Sequence, residues 1–385
     1  MYSIKTMNSI SPVVYDILSE YSVSPDEPAP DALMARSAEL KDYKRGANLC
    51  AIARAGAGVN NIPVEECSAE GIVVFNTPGA NANAVAELVI AAMLMTGRDI
   101  LGGAEWARSL KGKGGDVGKL IEKEKARFTG PELRGKSLGV IGLGAIGALV
   151  ANAAIALGME VYGYDPFVSV EHAWALSRSV KRVKDRDELI RSSDYISIHI
   201  PLAKETRGLF NARMISRMKD GAALLNFARG ELADCADVIA AVTSGKLRAY
   251  ATDFPCEDML GVPGILSLPH LGASTPESED NCARMAAEQL RDFLEFGIIR
   301  NSVNLPDADL SRARTSRAII IHRNLPGVLG AVTSVMADDN VNIADLKNSS
   351  RGDMAYTALD IDGAFTSSQV GKLGGLENVL RVRVV

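Results

Sequence analysis

The stretch that most limits what this chain can become is Ser137-Leu138-Gly139-Val140-Ile141-Gly142-Leu143-Gly144-Ala145-Ile146-Gly147. An apolar run meets glycines spaced G-x-G-x-x-G. A helix-like run over 148–158 follows, then a second apolar run over 160–164 that ends on Asp165. Strand, glycine turn, helix, strand and terminal acid in that order make a βαβ unit suited to a dinucleotide. Gly142 turns the chain sharply off the strand. Gly144 has no Cβ, so backbone can approach a pyrophosphate, and Gly147 lets helix and strand pack closely. The N–H groups and positive dipole end at the helix start then meet the phosphates, which adds Ala145 and Ile146 to the expected contacts. Asp165 lies roughly 20 residues beyond the first glycine, where an acid accepts from both ribose hydroxyls of NAD and repels the 2′-phosphate of NADP.

A second glycine motif is a decoy. Gly130-Pro131-Glu132-Leu133-Arg134-Gly135-Lys136-Ser137 matches the P-loop pattern letter for letter. A P-loop follows a strand and opens a helix, whereas here a charged run precedes the motif and a strand follows it. Nucleotide hydrolysis is therefore set aside.

From 137 to about 283 strands and helices alternate, as a parallel sheet requires. The apolar runs 138–141, 161–164, 195–200, 222–226, 249–253 and 265–268 supply six strands, the number in a full double Rossmann sheet. Ligands bind such sheets at the carboxyl ends of the strands. Three of those ends carry Phe227-Ala228-Arg229-Gly230, then Asp253 with Glu257 and Asp258, then Pro269-His270-Leu271-Gly272-Ala273-Ser274-Thr275. Arginine, carboxylate and histidine on a cofactor edge suit oxidation of a 2-hydroxy acid. Histidine takes the hydroxyl proton, a carboxylate orients the imidazole, and arginine grips a substrate carboxylate. His199, inside an apolar run, reads as a core histidine.

Residues 1–93 form a first α/β unit. There Arg54-Ala55-Gly56-Ala57-Gly58-Val59-Asn60-Asn61 places open backbone beside a cation, an arrangement suited to a small anion. Asn81 or Asn83 caps an Ala-rich helix that follows. The helix over 285–296 returns the chain to this unit, so 1–93 with 284–304 make one discontinuous domain around 94–283. Residues 305–317, with Arg312, Arg314 and Arg317, read as a linker. Residues 318–385 read as a separate βαββαβ, ferredoxin-like module.

Length and composition narrow the function class. The 385 residues suit two or three domains, 47% hydrophobic and 23% charged residues suit a globular protein, and a net charge of −5 speaks against nucleic acid. No apolar run is long enough for a membrane span, and no secretory h-region opens the chain. Five scattered cysteines read as reduced thiols of a cytoplasmic enzyme, and no metal is expected.

Taken together, the Arg54–Asn61 stretch, the Gly142/Gly144/Gly147 fingerprint, Asn226-Phe227-Ala228-Arg229-Gly230 and Pro269–Thr275 resemble the D-isomer-specific 2-hydroxyacid dehydrogenases. Within them the chain is similar to the phosphoglycerate dehydrogenases with a C-terminal ACT domain. The resemblance implies an α/β fold with a Rossmann-type NAD domain inserted in a discontinuous flavodoxin-like substrate domain, plus the ferredoxin-like ACT domain. It implies NAD-dependent oxidation of 3-phosphoglycerate to 3-phosphohydroxypyruvate, at the head of serine synthesis. His270 would be the acid/base and Arg229 the substrate anchor. The family's catalytic Glu falls on Asp258, with Glu257 beside it, and either can serve. Pro201, Ala228, Asp253 and Gly272 join the cofactor contacts. Arg54, Gly56 and Gly58, with Asn81 or Asn83, would hold substrate. His322, Asn324 and Asn342 match positions that bind L-serine as a feedback effector, and a homodimer or homotetramer is implied. Two other readings stay open: a dehydrogenase for another D-2-hydroxy acid, and a non-catalytic NAD-responsive binding protein.

Overall fold

The computed structural model describes residues 1–310 and 316–385, so Arg312 and Arg314 of the expected linker lie outside the described residues. By its internal contacts the chain forms two units, 1–81 with 276–385, and 82–275. Each long helix at a crossing point belongs whole to one unit. Ala82–Gly97 goes with the second and Pro276–Phe296 with the first.

The first unit begins with strands β1 (Ser3–Met7), β2 (Ser22–Ser24), β3 (Ala32–Ala35), β4 (Ala51–Arg54) and β5 (Val73–Phe75). All pairs are parallel, in the order β2-β1-β3-β4-β5, the flavodoxin-like order. β3 and β5 are buried throughout, as a sheet covered on both faces demands. Helix Pro276–Phe296 lays Ala283, Ala286, Leu290 and Phe293 against Met34, Ala53 and Phe75.

The second unit holds β6 (Ser137–Ile141), β7 (Glu160–Tyr164), β8 (Lys181–Arg182), β9 (Tyr195–Ile198), β10 (Ala222–Asn226), β11 (Leu247–Thr252) and β12 (Ile265–Ser267). They form a seven-stranded parallel sheet, β12-β11-β10-β9-β6-β7-β8, so the order reverses between β6 and β9. That reversal is the switch point where a doubly wound sheet opens a crevice. One strand exceeds the six expected: β8 is two exposed basic residues with no apolar signal. Helices Ala82–Gly97 and Ala145–Ala156 cover one face through Val89, Met93, Val150 and Ala154. Helices Arg186–Ser192 and Cys235–Thr243 cover the other through Leu189, Ile190 and Val238.

The expectation of five reduced thiols is corrected here. Cys235 and Cys256 form a disulfide, while Cys50, Cys67 and Cys282 are free and buried. Cys235 opens the helix that follows β10 and Cys256 follows β11. These neighbouring parallel strands bring the two Cα atoms to 6.7 Å.

The tail returns to the first unit with β13 (Ser316–Arg323), β14 (Ile343–Arg351), β15 (Met354–Ile361) and β16 (Val379–Val384). With helices Val328–Asp338 and Ser367–Gly374 this is βαββαβ in the order β14-β15-β13-β16. Alternation along β13 sends Ala318 and Ile320 toward the helices and Ile319 and Ile321 to the opposite face. Both faces are apolar, so both must be covered. Ile319, Ile321, Tyr356 and Ala358 share a core with Leu290 and Phe293, and the tail is therefore not a separate body by its contacts. Buried Arg317 reinforces the junction, paired bidentately with Asp360 at 2.6 and 2.8 Å and donating to the Phe296 carbonyl at 2.9 Å.

Candidate active site

Sequence places the fingerprint glycines, and packing explains each. β6 ends at Ile141, and Gly142 turns the chain with φ +92°, a left-handed conformation that favours glycine. A Cβ at Gly142 would collide with the His199 carbonyl, and one at Gly147 with the Gly142 carbonyl. Around Gly144 there is nothing within 4 Å of a Cβ position, so the backbone there lies open. Helix Ala145–Ala156 starts immediately, with no side-chain cap from Gly144. Its first-turn N–H groups, with Ala145 and Ile146, are donors for an anion. Asp165, just past β7, braces the loop. One carboxylate oxygen accepts from Leu143 N and the other from Phe167 N, both at 2.8 Å. Each oxygen keeps a lone pair for a ribose hydroxyl.

At the end of β10, fully buried Asn226 organises the next loop. Its Nδ2 donates to the Arg229 carbonyl at 2.8 Å, and its Oδ1 accepts from Ala228 N at 3.3 Å. Arg229 is exposed, with Nη1 donating to the Ala228 carbonyl at 2.7 Å. In sequence the one signal of this role is a lone amide ending an otherwise apolar strand.

After β11 comes Asp253, 2% exposed. Its Oδ2 accepts from Gly272 N at 3.0 Å, but among the described residues its buried Oδ1 has no partner. Burial raises the pKa of this carboxyl, opposed by the Gly272 N–H and by the charges of His270 and Arg229. A buried acceptor without a donor is costly, and an amide group brought by a cofactor would satisfy it. With the open backbone at Gly144 and the acid at Asp165, the donors and acceptors present fit a nicotinamide dinucleotide.

Past β12, the His270 N–H is shared between the carbonyls of Asp253 at 3.0 Å and Leu268 at 3.2 Å. Its φ is +49°, unusual for a side-chain-bearing residue. The exposed imidazole packs on the Phe254 ring, with centroids 4.5 Å apart. The carboxylate partner expected for His270 is not in place. Glu257 and Asp258 sit exposed on a 3-10 turn, and among the described residues no hydrogen bond joins either to the imidazole. Cys256 caps that turn and is tied to Cys235, which holds the turn toward helix Cys235–Thr243.

The strand carrying His199 stops at Ile198, so His199 lies just beyond it rather than inside. Its Nε2 pairs with Ser197 Oγ at 2.8 Å, and burial pushes its pKa down to about 4. Pro201 is exposed two residues further on. Asn83, in the first turn of helix Ala82–Gly97, donates to Glu87 at 2.8 Å, while Asn81 directly precedes the helix.

In the first unit, Arg54 closes β4 and donates Nε to the Arg36 carbonyl at 3.1 Å. Its guanidinium lies where a Cβ on Gly56 would sit, so that glycine makes room for it. The loop with Gly56 and Gly58 is tied down by Thr77 N on the Gly56 carbonyl and Asn76 Nδ2 on Ala57 O. In the tail, His322 is 3% exposed, with Nε2 on Thr357 Oγ1 at 2.9 Å and Nδ1 near the Arg323 carbonyl at 2.8 Å. Asn324 donates to Gly352 O and Asn342 to Asp362.

Residues 90–272 match the family model for the NAD binding domain of D-isomer specific 2-hydroxyacid dehydrogenases. A D-3-phosphoglycerate dehydrogenase of Haemophilus influenzae is 32% identical over 341 residues, 85% of this chain and 79% of that one. Another, of Methanocaldococcus jannaschii, is 36% identical over 340 residues, covering 86% of this chain. The chain spans 62% of that relative's length. The solved NAD+-bound 3-phosphoglycerate dehydrogenase of Entamoeba histolytica superposes with a TM-score of 0.61 at 28% identity, over 79% of this chain and 98% of that one.

Proposed function

The chain belongs to the D-isomer specific 2-hydroxyacid dehydrogenase family, and from that premise we propose that it oxidises D-3-phosphoglycerate to 3-phosphohydroxypyruvate with NAD, the first step of serine synthesis. The observation that carries this reading is the carboxyl edge of β10, β11 and β12. Arg229, Asp253 and His270 lie in the turns just past those strands, and among the described residues the buried Asp253 Oδ1 lacks a donor.

When bound, NAD supplies the hydride acceptor. Gly142, Gly144, Ala145, Ile146 and Gly147 would hold its pyrophosphate, Asp165 its ribose, and Asp253 Oδ1 its carboxamide, with Pro201, Ala228 and Gly272 as further contacts. Arg229 offers a planar set of N–H donors to the substrate carboxylate. His270 takes the hydroxyl proton onto a ring nitrogen as the C–H bond breaks. Glu257 or Asp258 is assigned the role of steadying the resulting imidazolium on the resemblance of those positions. Arg54, with backbone at Gly56 and Gly58 and with Asn81 or Asn83, is assigned to the substrate on the resemblance of those positions.

The same reading keeps the functional division into substrate domain (1–93 and 284–304), NAD domain (94–283), linker (305–317) and ACT domain (318–385). It includes a homodimer or homotetramer and a cytoplasmic setting. Among the described residues no helix is long and apolar enough to cross a membrane. Feedback by L-serine at His322, Asn324 and Asn342 is supported by their match in residue type and position.

Turnover with NAD and D-3-phosphoglycerate, followed at the NADH absorbance band, tests the proposal. Reduction of NAD with this substrate, and far slower reduction with unphosphorylated D-2-hydroxy acids, is expected. Equal rates with D-lactate would replace it with a general D-2-hydroxyacid dehydrogenase, and no turnover of any hydroxy acid would favour a binding protein.

A further inference from the structure

The structure assigns Phe254 as a positioning residue for the His270 imidazole, an inference that rests on His270 serving as the base. His270 sits at φ +49°, a conformation that a side-chain-bearing residue keeps only where its surroundings enforce it. Its backbone is fixed through the carbonyls of Asp253 and Leu268. Its ring is not fixed by Glu257 or Asp258, since among the described residues neither bonds to it. The ring contact that is present is with Phe254, centroids 4.5 Å apart and planes tilted by 48°.

Phe254 is itself held from two sides. Its N–H donates to Thr252 Oγ1 at 3.0 Å, which continues the line of β11. Behind it lies Gly230, where a Cβ would stand 3.2 Å from both the Phe254 Cβ and its carbonyl oxygen. Gly230 follows Arg229 directly, so Phe254 lies between the turn bearing the arginine and the imidazole. An aromatic face restricts the orientation of a neighbouring ring while taking no proton from it and giving none. Both imidazole nitrogens therefore stay available for substrate and for a carboxylate.

The test compares Phe254→Leu, Phe254→Tyr and Gly230→Ala with His270→Asn. Steady-state kinetics use D-3-phosphoglycerate and NAD, and proton NMR reads the histidine ring resonances. With only four histidines in the chain, the His270 signals are identified by their loss in His270→Asn. Phe254→Leu is expected to lower kcat about tenfold with KM for NAD within about twofold, because misplaced reacting groups slow the step more than they weaken binding. Phe254→Tyr should recover most of kcat. Phe254→Leu should also move the His270 ring protons out of the Phe254 ring current, and Gly230→Ala, which crowds Phe254 from behind, should shift them too. A Phe254→Leu protein with kcat within twofold of the parent, beside an inactive His270→Asn, overturns the inference. Unmoved His270 ring protons in Phe254→Leu overturn it as well. An active His270→Asn would instead remove the base role itself, a different failure that this variant isolates.

Discussion

In the tail, His322 is 3% exposed, its ring is engaged at both nitrogens, and Asn324 and Asn342 donate to groups of the same chain. At the carboxyl edge of the second sheet, His270 is exposed on an aromatic ring, Arg229 reaches solvent, and a buried oxygen of Asp253 has no donor among the described residues. Each place contains a histidine, His270 at a strand end of the second sheet and His322 at a position that the family resemblance singles out. One is closed by its own hydrogen bonds and the other is left incomplete. An incomplete site gains free energy when a ligand supplies the missing donor, because the cost of the orphan was already present. A closed site must exchange bonds it already has, so an effector there gains only the difference. The incomplete edge of the second sheet therefore has more to gain from a ligand than the closed histidine of the tail.

The largest expected effect breaks the comparison if the two histidines behave alike. His270→Gln should lower kcat by about 10²–10⁴-fold, the usual worth of a general base, while His322→Gln should leave serine-free kcat within about twofold. Equal losses in the two variants would remove the distinction.

Next in size is the junction that seats the tail. Asp360→Ala strands buried Arg317, and loss of one partner of a buried pair costs about 3–5 kcal/mol. Urea unfolding of the first unit should report it, and a change under about 1 kcal/mol would mean that the pair does not anchor the tail.

The pH dependence of the second sheet comes third. His199 titrates near 6.5 when unfolded and about 4 when folded, so between those values the unfolded chain binds more protons. Stability must then fall as the pH drops through that window, by up to ~3 kcal/mol at its lower end. His199→Gln should flatten the fall measured by urea titration between neutral pH and the acid limb, and an unchanged slope would contradict the burial of a neutral imidazole.

Smallest is Asp253→Asn, which, with the amide oxygen kept on the Gly272 N–H, puts an N–H donor in place of the oxygen that has no donor among the described residues. KM for NAD should rise about tenfold, the worth of one hydrogen bond to a charged group, with urea stability at least maintained because burial already disfavours this carboxylate. An unchanged KM for NAD would detach the orphan oxygen from the cofactor.

The dinucleotide unit was readable because each constraint is local. Glycines at 142, 144 and 147 can be recognised without knowing their neighbours, and apolar runs mark buried parallel strands. What escaped depended on distant partners. Lys181–Arg182 pairs with β7, but its two exposed, charged side chains carry no apolar run that would announce a strand. The Cys235–Cys256 pairing needs the geometry of adjacent strands, and the shared core beneath Ile319 and Ile321 needs a surface supplied by a helix some distance away in sequence. The role of Phe254 becomes visible only once the ends of β11 and β12 stand side by side, whereas Asn226 acts on the loop that directly follows it.

The most direct measurement uses D-3-phosphoglycerate deuterated at the carbon that bears the hydroxyl, incubated with NAD and the intact chain, with the products read by mass spectrometry. If the edge of β10, β11 and β12 is a hydride-transfer centre, the deuterium appears in the reduced nicotinamide and 3-phosphohydroxypyruvate forms in equal amount. Deuterium lost to solvent, or no reduced cofactor, would contradict the account.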